Sequence, residues 1–305
     1  MRPKLTRRRL MVGGGLGAGL LSGGVFTASS FQSGRNHEGP DAPQQVPWSL
    51  GAGVAWVFSS GGPRGYVHVG VIKALDELGL HPGLIVGASA GALVGTMRAA
   101  GYRGTELQSL ALEAAPWKVT RLNPFGPPWL AGDALADFMR HCVDGRPLEA
   151  LPTPVACVAW NRSQQQLVAF NRGDTGLAVQ ASSAIEGDFA PVTIRGEVYV
   201  DADLHQPMPV RTARALGGLR VLAVDASAHE DRAPAGTEPW RAGDLRKRAL
   251  TQPDANAADL VLHPDTGYYA GMSREYRERV IEIGYRETLK QADALRALHG
   301  VDAKS

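Results

Sequence analysis

Residues 84–97 read LIVGASAGALVGTM, and this stretch predicts a serine at a sharp turn between a strand and a helix. The apolar residues 84–86 are typical of a buried strand, and residues 90–100 carry apolar side chains at helical spacing. In GASAG between them, Gly87 and Gly91 flank Ser89 and fit a crowded elbow that admits small side chains. A helix that begins at Ser89 places N–H groups beside its hydroxyl, which favours an anionic intermediate. The pattern indicates a nucleophile, although one such motif also arises by chance in a chain with 37 glycines.

A glycine-rich turn precedes this elbow. The strand pattern of residues 54–59 leads into SSGGPRG, residues 59–65, and residues 66–78 then place apolar side chains on one helical face. Backbone N–H groups at such a turn form a concavity that binds anions. The loop lacks both the Gly-Lys-Ser/Thr ending of a nucleotide P-loop and the G-x-G-x-x-G fingerprint. We therefore expect it to bind an oxyanion, and a tight turn without a ligand is the alternative.

The composition is that of an ordinary globular protein and sets few limits on function. The chain has 305 residues, of which 44% are hydrophobic and 20% charged, so it can bury a substantial core. Its formal net charge of +2 becomes about −3 without the five basic residues of the first 30, and no basic surface indicates nucleic acid. Cys142 and Cys157 have no metal-ligand spacing and are either a disulfide or two separate buried thiols.

The first 30 residues predict an export signal rather than part of the fold. A basic head is followed by an apolar run diluted with glycine, and Thr6, Arg7 and Arg8 begin a pattern similar to a twin-arginine signal. We expect a periplasmic or secreted protein, and an uncleaved N-terminal membrane anchor is left open. Residues 31–50 are polar and contain proline, which predicts a linker, and the catalytic domain is expected over residues 51–300.

Within that domain, strand and helix patterns alternate. The sequence predicts strands at 154–160, 166–170, 192–194, 198–200 and 219–224, and helices at 104–115, 132–142, 175–185 and 273–299. This alternation predicts an α/β domain with a mostly parallel sheet. Residues 227–256 have no core pattern and are expected to form a surface excursion. The proline-rich loop 123–130, with Phe125 and Trp129, is either a flap beside the site or a loop packed on its own prolines.

A serine nucleophile needs a base, and Asp201 is the best candidate in the sequence. It follows a predicted strand in VYVDAD, which places its carboxylate at the carboxyl end of a strand, where open α/β sheets build their sites.

Three blocks now occur in order: SGGPRG with the helix YVHVGVIKAL, then GASAG, then ASSAIEGDFAPV with VYVDADLHQPMPV. Over roughly residues 54–225 the chain resembles the patatin-like phospholipase family. The resemblance implies a three-layer α/β/α fold and a carboxylic ester hydrolase of the phospholipase A or lysophospholipase type. It also implies lipid or acyl-ester substrates, no cofactor and no metal. Peripheral contact with a membrane is left open, and no protein partner is indicated.

The resemblance also assigns roles to residues at matching positions. It implies that Ser89 is the nucleophile and that Asp201 is the base, in a dyad without histidine. The other implied positions are the elbow glycines Gly87 and Gly91 and an oxyanion hole formed by the amides of Gly61 and Gly62 with those of Arg64 and Gly65.

The chain departs from the family pattern at four positions. Ser60 stands where the family has the first of three glycines, and Ala202 and Asp203 follow the aspartate where the family has glycine and then glycine or alanine. Glu186 replaces a common proline, and nothing in the sequence explains that change. If Asp203 interacts with Asp201, one pKa of the pair rises, and we expect a higher pH optimum than in an Asp203→Gly variant.

Two other readings stay open. An α/β-hydrolase with a Ser-Asp-His triad would take its histidine from His205, His229, His263 or His299, whereas His68 is expected to be a packing or capping residue. A non-catalytic lipid-binding or envelope scaffold protein would keep the fold without the activity.

Overall fold

The computed structural model describes residues 35–48, 53–113, 121–122, 128 and 130–301. The predicted signal segment, residues 1–30, lies outside these ranges. Phe125 and Trp129 of the predicted flap also lie outside them.

Strands and helices alternate along most of the described chain. The strands are β1 Asn36–His37, β2 Val54–Phe58, β3 Leu84–Ala88, β4 Arg121–Leu122, β5 Leu130–Ala131, β6 Val155–Asn161, β7 Gln166–Phe170, β8 Val192–Ile194, β9 Glu197–Asp201, β10 Arg220–Val224 and β11 Leu260–Leu262. The helices are α1 Tyr66–Glu77, α2 Ala90–Ala99, α3 Gly104–Glu113, α4 Asp133–Cys142, α5 Thr175–Ser182, α6 Val210–Ala215, α7 Glu238–Ala257, α8 Arg274–Leu289 and α9 Ala292–His299.

Nine of these strands form one mixed sheet in the order β1-β8-β9-β6-β3-β2-β10-β11, with β7 also paired to β6. The pairings among β6, β3, β2, β10 and β11 are parallel, as is that of β1 with β8. The hairpin β8-β9 and the pairings of β6 with β7 and β9 are antiparallel. The α/β architecture with a mostly parallel sheet is therefore confirmed.

Both faces of the sheet are covered, and the central strands β2 and β3 are buried along their whole length. On β2, Trp56 and Phe58 point into one apolar cluster, which includes residues of α1 and α8. The alternate residues Ala55 and Val57 belong to a second cluster, which includes residues of α6. This alternation makes three layers, with helices on either side of the sheet. Within the described ranges, no helix is both long and apolar enough to cross a bilayer.

Residues 227–256 lie largely at the surface, as expected, but most of them form the 20-residue helix α7, which the sequence does not predict. Its inward-facing side chains are polar: Lys247 is partly buried, and Thr251 and Asp254 are buried. Asp254 accepts hydrogen bonds from the Gln206 side chain at 2.7 Å and from the Arg211 backbone N–H at 2.8 Å. A helix that packs through hydrogen bonds has no apolar stripe to find in its sequence.

Part of the predicted linker also contacts the domain. Strand β1 pairs with β8, the N–H of Gln44 donates to the carbonyl of Arg172 at 3.0 Å, and Ala42 is buried. These contacts are made largely by backbone groups, which leave no apolar periodicity in the sequence.

Two smaller expectations are resolved by the structure. The predicted C-terminal helix 273–299 is two helices, α8 and α9, separated at Lys290 and Gln291. Cys142 and Cys157 are separate, buried free thiols and do not form a disulfide.

Candidate active site

Ser89 lies between β3 and α2, at the turn that the sequence predicts. Its φ of 53° and ψ of −122° are strained for a residue with a side chain, and it is buried. Its N–H donates to Ser182 Oγ at 3.0 Å, and the Ser182 hydroxyl in turn donates to the carbonyl of Val158 at 2.6 Å. Ser182, at the end of α5, therefore fixes the backbone of Ser89 to the neighbouring strand. No sequence motif pointed to that role.

The two elbow glycines are required by close backbone contacts. A Cβ on Gly87 would lie 2.4 Å from the carbonyl oxygen of Gly91. A Cβ on Gly91 would lie 2.1 Å from the carbonyl oxygen of Phe58, at the end of β2. These distances leave no room for any side chain, so α2 can begin this close to the sheet only with glycine at both positions.

The register of strand β6 brings Asp201 towards Ser89. Along residues 157–161, β6 pairs with β7 on one side. Two strands share the other side of β6. Strand β3 pairs in parallel with residues 155–158, and strand β9 pairs antiparallel with residues 159–161. Ala88 is opposite Val158 and Asp201 is opposite Ala159, so β3 and β9 meet end to end. Ser89, which follows β3, and Asp201, which ends β9, are therefore neighbours.

Asp201 is 4% exposed, and its two carboxylate oxygens have different surroundings. Oδ1 accepts the backbone N–H of Asp203 at 2.8 Å, whereas Oδ2 is buried with no hydrogen-bond partner among the described residues. Burial and the negative charge of Asp203 raise the pKa of Asp201 to about 7, against the opposing effects of the Ser89 hydroxyl, the Asp203 amide and Lys247. A carboxylate of this kind can accept a proton near neutral pH.

The glycine loop forms a short 3-10 turn over Gly62–Gly65, directly before α1. Gly62 has a φ of 50°, which favours glycine, and the amides of Gly61 and Gly62 donate to no acceptor in the described part of the chain. The Arg64 amide is engaged, because it donates to the carbonyl of Gly61 at 3.0 Å. Its place in the oxyanion hole stays a prediction. For Gly65 the role of the amide stays a prediction, and its Cα packs against Ala90, since a Cβ there would lie 2.4 Å from that of Ala90.

Two of the departures from the family pattern contact each other. The Ser60 hydroxyl and the Asp203 carboxylate are hydrogen-bonded, and Lys247 of α7 binds both. No sequence pattern points to Lys247, which lies in the segment expected to form a surface excursion. Ala202, the other departure after Asp201, is fully buried in the 3-10 turn that follows the base.

The ring of each histidine considered for a triad contacts a residue other than Asp201. The His205 ring stacks on Trp160 with centroids 3.7 Å apart, and the rings of His229 and His263 stack at 3.8 Å. His299 accepts a hydrogen bond from the Trp56 indole at 3.0 Å.

His68 is a packing residue, as expected. It is fully buried, its Nε2 donates to the carbonyl of Ser59 at 2.8 Å, and burial lowers its pKa to about 4. The residues described contain no group of three or more histidine, cysteine, aspartate or glutamate side chains that could hold a metal ion.

A cavity of about 730 Å³ lies between α4, α5 and the strands β1 and β8 at one end of the sheet. Charged and polar side chains contribute to its wall, among them Arg35, His37, Arg140, Asp174 and Gln180. Neither Ser89, nor Asp201, nor the glycine loop lines this cavity, so it is not part of the site described above.

Comparison with known proteins gives consistent matches. A model of the patatin-like phospholipase family matches residues 56–214. An uncharacterized NTE family protein of Mycobacterium tuberculosis is 32% identical over 207 residues, covering 65% of this chain and 57% of that protein. Lysophospholipase NTE1 of Mycosarcoma maydis is 26% identical over 211 residues, covering 66% of this chain and 11% of that protein. The chain thus spans less than two thirds of the length of these relatives.

Among solved structures, VipD from Legionella pneumophila is similar with a TM-score of 0.48 at 14% identity. The match covers 82% of this chain and 71% of that one.

Proposed function

The chain belongs to the patatin-like phospholipase family, and from this premise we propose that it is a serine hydrolase that cleaves acyl esters of lipids. In this proposal Ser89 is the nucleophile, Asp201 is the base and the amides of Gly61 and Gly62 bind the oxyanion. The observation that carries the proposal is the end-to-end meeting of β3 and β9 on β6, which brings a serine on a strained turn towards a buried carboxylate with one free oxygen.

The proposed reaction has two halves. In the first, Asp201 Oδ2 takes the proton of the Ser89 hydroxyl while Oγ attacks the ester carbonyl carbon, and the resulting oxyanion accepts hydrogen bonds from the loop amides. The carbon–oxygen bond to the alcohol then breaks, the alcohol leaves with the proton from Asp201, and an acyl-serine remains. In the second, Asp201 takes a proton from water, which attacks the acyl carbon. Asp201 then gives this proton to Ser89 Oγ as the bond between Oγ and the acyl carbon breaks and the acid product leaves.

The surroundings of Asp201 support its role as a base without histidine. A carboxylate with an ordinary pKa is a poor proton acceptor at neutral pH, whereas burial raises the pKa of Asp201 to about 7. The hydrogen bond from the Asp203 amide occupies Oδ1 and leaves Oδ2 for proton transfer. Asp201 therefore combines a raised pKa with a fixed orientation.

The test is hydrolysis of a panel of acyl esters by the wild type, Ser89→Ala and Asp201→Asn. The panel varies acyl-chain length and headgroup over phospholipids, lysophospholipids, triacylglycerols and short esters. We expect each substitution to lower kcat/KM by about 10³-fold or more, because both residues act on the reacting atoms. Activity that survives both substitutions would contradict the dyad. The name of the fungal relative makes lysophospholipids the first substrates to test.

A fluorophosphonate probe separates the hydrolase from a lipid-binding scaffold, because it labels only an activated serine. We expect labelling of the wild type and none of Ser89→Ala. A folded wild-type protein that stays unlabelled would favour the scaffold.

The triad alternative predicts loss of activity in His229→Ala or His263→Ala. These histidines stack on each other, and His263 Nε2 hydrogen-bonds to the carbonyl of Ser227 at 3.0 Å. We expect both variants to keep kcat/KM within about threefold of the wild type, which corresponds to less than about 1 kcal/mol. A loss of 10³-fold in a variant that keeps its fold would restore the triad.

Export is a separate part of the proposal and rests on the first 30 residues alone. The basic residues Arg7 and Arg8 precede an apolar run. We expect the protein in the periplasm or medium, and we expect Arg7→Lys/Arg8→Lys to leave it in the cytoplasm. Cell fractionation with immunoblotting measures this, and equal export of both forms would contradict a twin-arginine route.

A further inference from the structure

Ser60, Asp203 and Lys247 form a cluster of polar side chains beside the candidate dyad, which we call the clamp. The Lys247 ammonium donates to Asp203 Oδ1 and, at 2.6 Å, to Ser60 Oγ. The Ser60 hydroxyl donates its own proton to Asp203 Oδ1. Ser60 is 1% exposed, whereas the side chains of Lys247 and Asp203 are 19% and 35% exposed, so these contacts are partly buried.

The three clamp residues come from three separate segments of the chain. Ser60 directly precedes the glycine loop, Asp203 lies in the 3-10 turn after the base, and Lys247 projects from the inner face of α7. Glycine at positions 60 and 203 would remove both partners of Lys247. The two departures from the family pattern are therefore one structural feature, and α7 completes it.

Backbone contacts link the clamp to the proposed catalytic groups. The Ser60 N–H donates to the carbonyl of Pro207 at 2.8 Å, which ties the start of the glycine loop to the segment after the base. The Asp203 N–H donates to Asp201 Oδ1 at 2.8 Å. A shift of Asp203 therefore moves the base, and a shift of Ser60 moves Gly61 and Gly62.

Charge gives the clamp a second effect. Burial alone would raise the pKa of Asp203, but the Lys247 charge and the hydrogen bonds from Lys247 and Ser60 hold it below its usual value. Asp203 therefore remains ionised beside Asp201. The groups that face Asp201 from β6, α2 and the end of α5 are Ala159, Ser89 and Ala184, which carry no charge. The negative charge of Asp203 and the positive charge of Lys247 therefore determine the electrostatic surroundings of Asp201.

We propose that Ser60, Asp203 and Lys247 are positioning residues that hold the glycine loop against the base, and that Lys247 offsets the charge that Asp203 places beside Asp201. This inference rests on the proposed hydrolase function, since it assigns the clamp to the same site.

The decisive measurement is the acid limb of kcat/KM against pH, with an ester found active in the substrate panel. Lys247→Met leaves Asp203 uncompensated, so Asp201 ionises less readily and the limb moves to higher pH. Asp203→Asn removes the repulsion and keeps the lysine, so the limb moves to lower pH. We expect about one pH unit in each direction. The double variant, which lacks both charges, should return towards the wild-type limb.

Three further variants separate this effect from a general loss of structure. Lys247→Arg keeps the charge and should keep the limb. Arg246→Met removes a charge from the exposed side of the same helix and should leave the limb in place. Ser60→Ala keeps both charges but loses a contact, so it should lower kcat by about tenfold without moving the limb. Lower activity with an unmoved limb in both Lys247→Met and Asp203→Asn would overturn the proposal.

A second measurement does not depend on catalysis. Chemical unfolding over a range of pH, with each variant compared with the same variant carrying Asp201→Asn, isolates the titration of Asp201. The pH at which this difference levels off should rise in Lys247→Met and fall in Asp203→Asn. If the wild type hydrolyses no ester and these shifts still appear, the clamp stands and the hydrolase proposal fails. If hydrolysis occurs and neither shift appears, the clamp proposal fails. Should Lys247→Met not fold, Asp203→Asn and the double variant carry the same test.

Discussion

The two halves of the candidate dyad are held in different ways. Ser89 is fixed by contacts between backbones, because Gly87 and Gly91 let α2 approach the sheet and the Ser182 hydroxyl binds the strained turn. Asp201 is fixed by a backbone amide, and the ionised side chains of Asp203 and Lys247 act on its charge. Steric contacts do not change with pH or salt, whereas charge interactions change with both. The position of the nucleophile should therefore be sensitive to changes in side-chain size, and the ionisation of the base should be sensitive to the pH and ionic strength of the solution.

The largest expected effect comes from adding one methyl group to the elbow. Gly91→Ala would place a Cβ 2.1 Å from the carbonyl oxygen of Phe58, so the helix must move or the protein must unfold. We expect a loss of about 5 kcal/mol in the free energy of unfolding, or no folded protein. Gly243→Ala is the matched control, because that glycine lies in α7 with open space around it and should gain up to about 1 kcal/mol. Equal stability of the two variants, measured by chemical denaturation, would show that the elbow is not sterically fixed.

The next effect concerns the base and depends on pH. The pKa of Asp201 is raised from 3.8 to about 7 in the folded protein, so between these values the folded state holds a proton that the unfolded state has lost. Asp201 therefore does not lower the free energy of unfolding below about pH 4, and its destabilising effect grows as the pH rises to about 7. Relative to Asp201→Asn, the wild type should lose stability over this window, by on the order of 4 kcal/mol. Urea denaturation from about pH 4 to pH 8 measures this change. A constant difference across that range would contradict the raised pKa.

A smaller effect is expected from Ser182→Ala. The variant leaves the buried N–H of Ser89 and the carbonyl of Val158 without the partner that joins them, which costs about 2 kcal/mol of stability. We also expect kcat/KM to fall about tenfold or more, because the nucleophile is less well positioned. Ser109→Ala removes an exposed hydroxyl that bonds within its own helix and should change stability by less than about 0.5 kcal/mol. If Ser182→Ala behaved like this control, the hydroxyl bridge would have no role in holding Ser89.

The smallest expected effect is the salt dependence of the coupling between Lys247 and Asp203, which distinguishes the surroundings of the base from those of the nucleophile. Lys247 and Asp203 have side chains that are 19% and 35% exposed, so their coupling should be about 1 kcal/mol at low ionic strength and about half of that in about 1 M salt. A double-mutant cycle with Lys247→Met and Asp203→Asn measures the coupling in both conditions. The cost of Ser182→Ala involves no charge and should be the same in both. A coupling that does not change with salt would place the pair in surroundings as dry as those of the elbow.

The sequence predicts the elbow around Ser89 better than the surroundings of Asp201, and the reason is physical. Steric demands such as those at Gly87 and Gly91 admit one residue type, so they leave a readable pattern. Much of the sheet is predictable for a similar reason, since the fully buried strands β2 and β3 and the buried residues 221–224 of β10 need continuous apolar runs.

The features that cannot be predicted from the sequence depend on contacts between polar groups that are far apart in the chain. Lys247 meets Asp203 across 44 residues of chain, and Asp254 of the same helix binds Gln206 across 48. Many residue types can make such contacts, so neither the helix α7 nor the clamp has a local pattern to detect. The hydrogen bond from the Arg64 amide to the carbonyl of Gly61 also leaves no sequence pattern, because it depends on the conformation of the 3-10 turn.

The junction of β3 and β9 on β6 has one further consequence, for how this site can vary. The spacing between Ala88 and Asp201 is set by two adjacent residues of one strand, Val158 and Ala159, and by no loop. Insertions or deletions in the connections of this sheet can therefore reshape the approach to the site while the spacing of nucleophile and base stays constant. A two-residue slip of β9 along β6 would instead bring Tyr199 opposite Ala159 and remove the base altogether. Diversity of substrate can thus accumulate in the loops, and β6 is the part of the fold that must not change length.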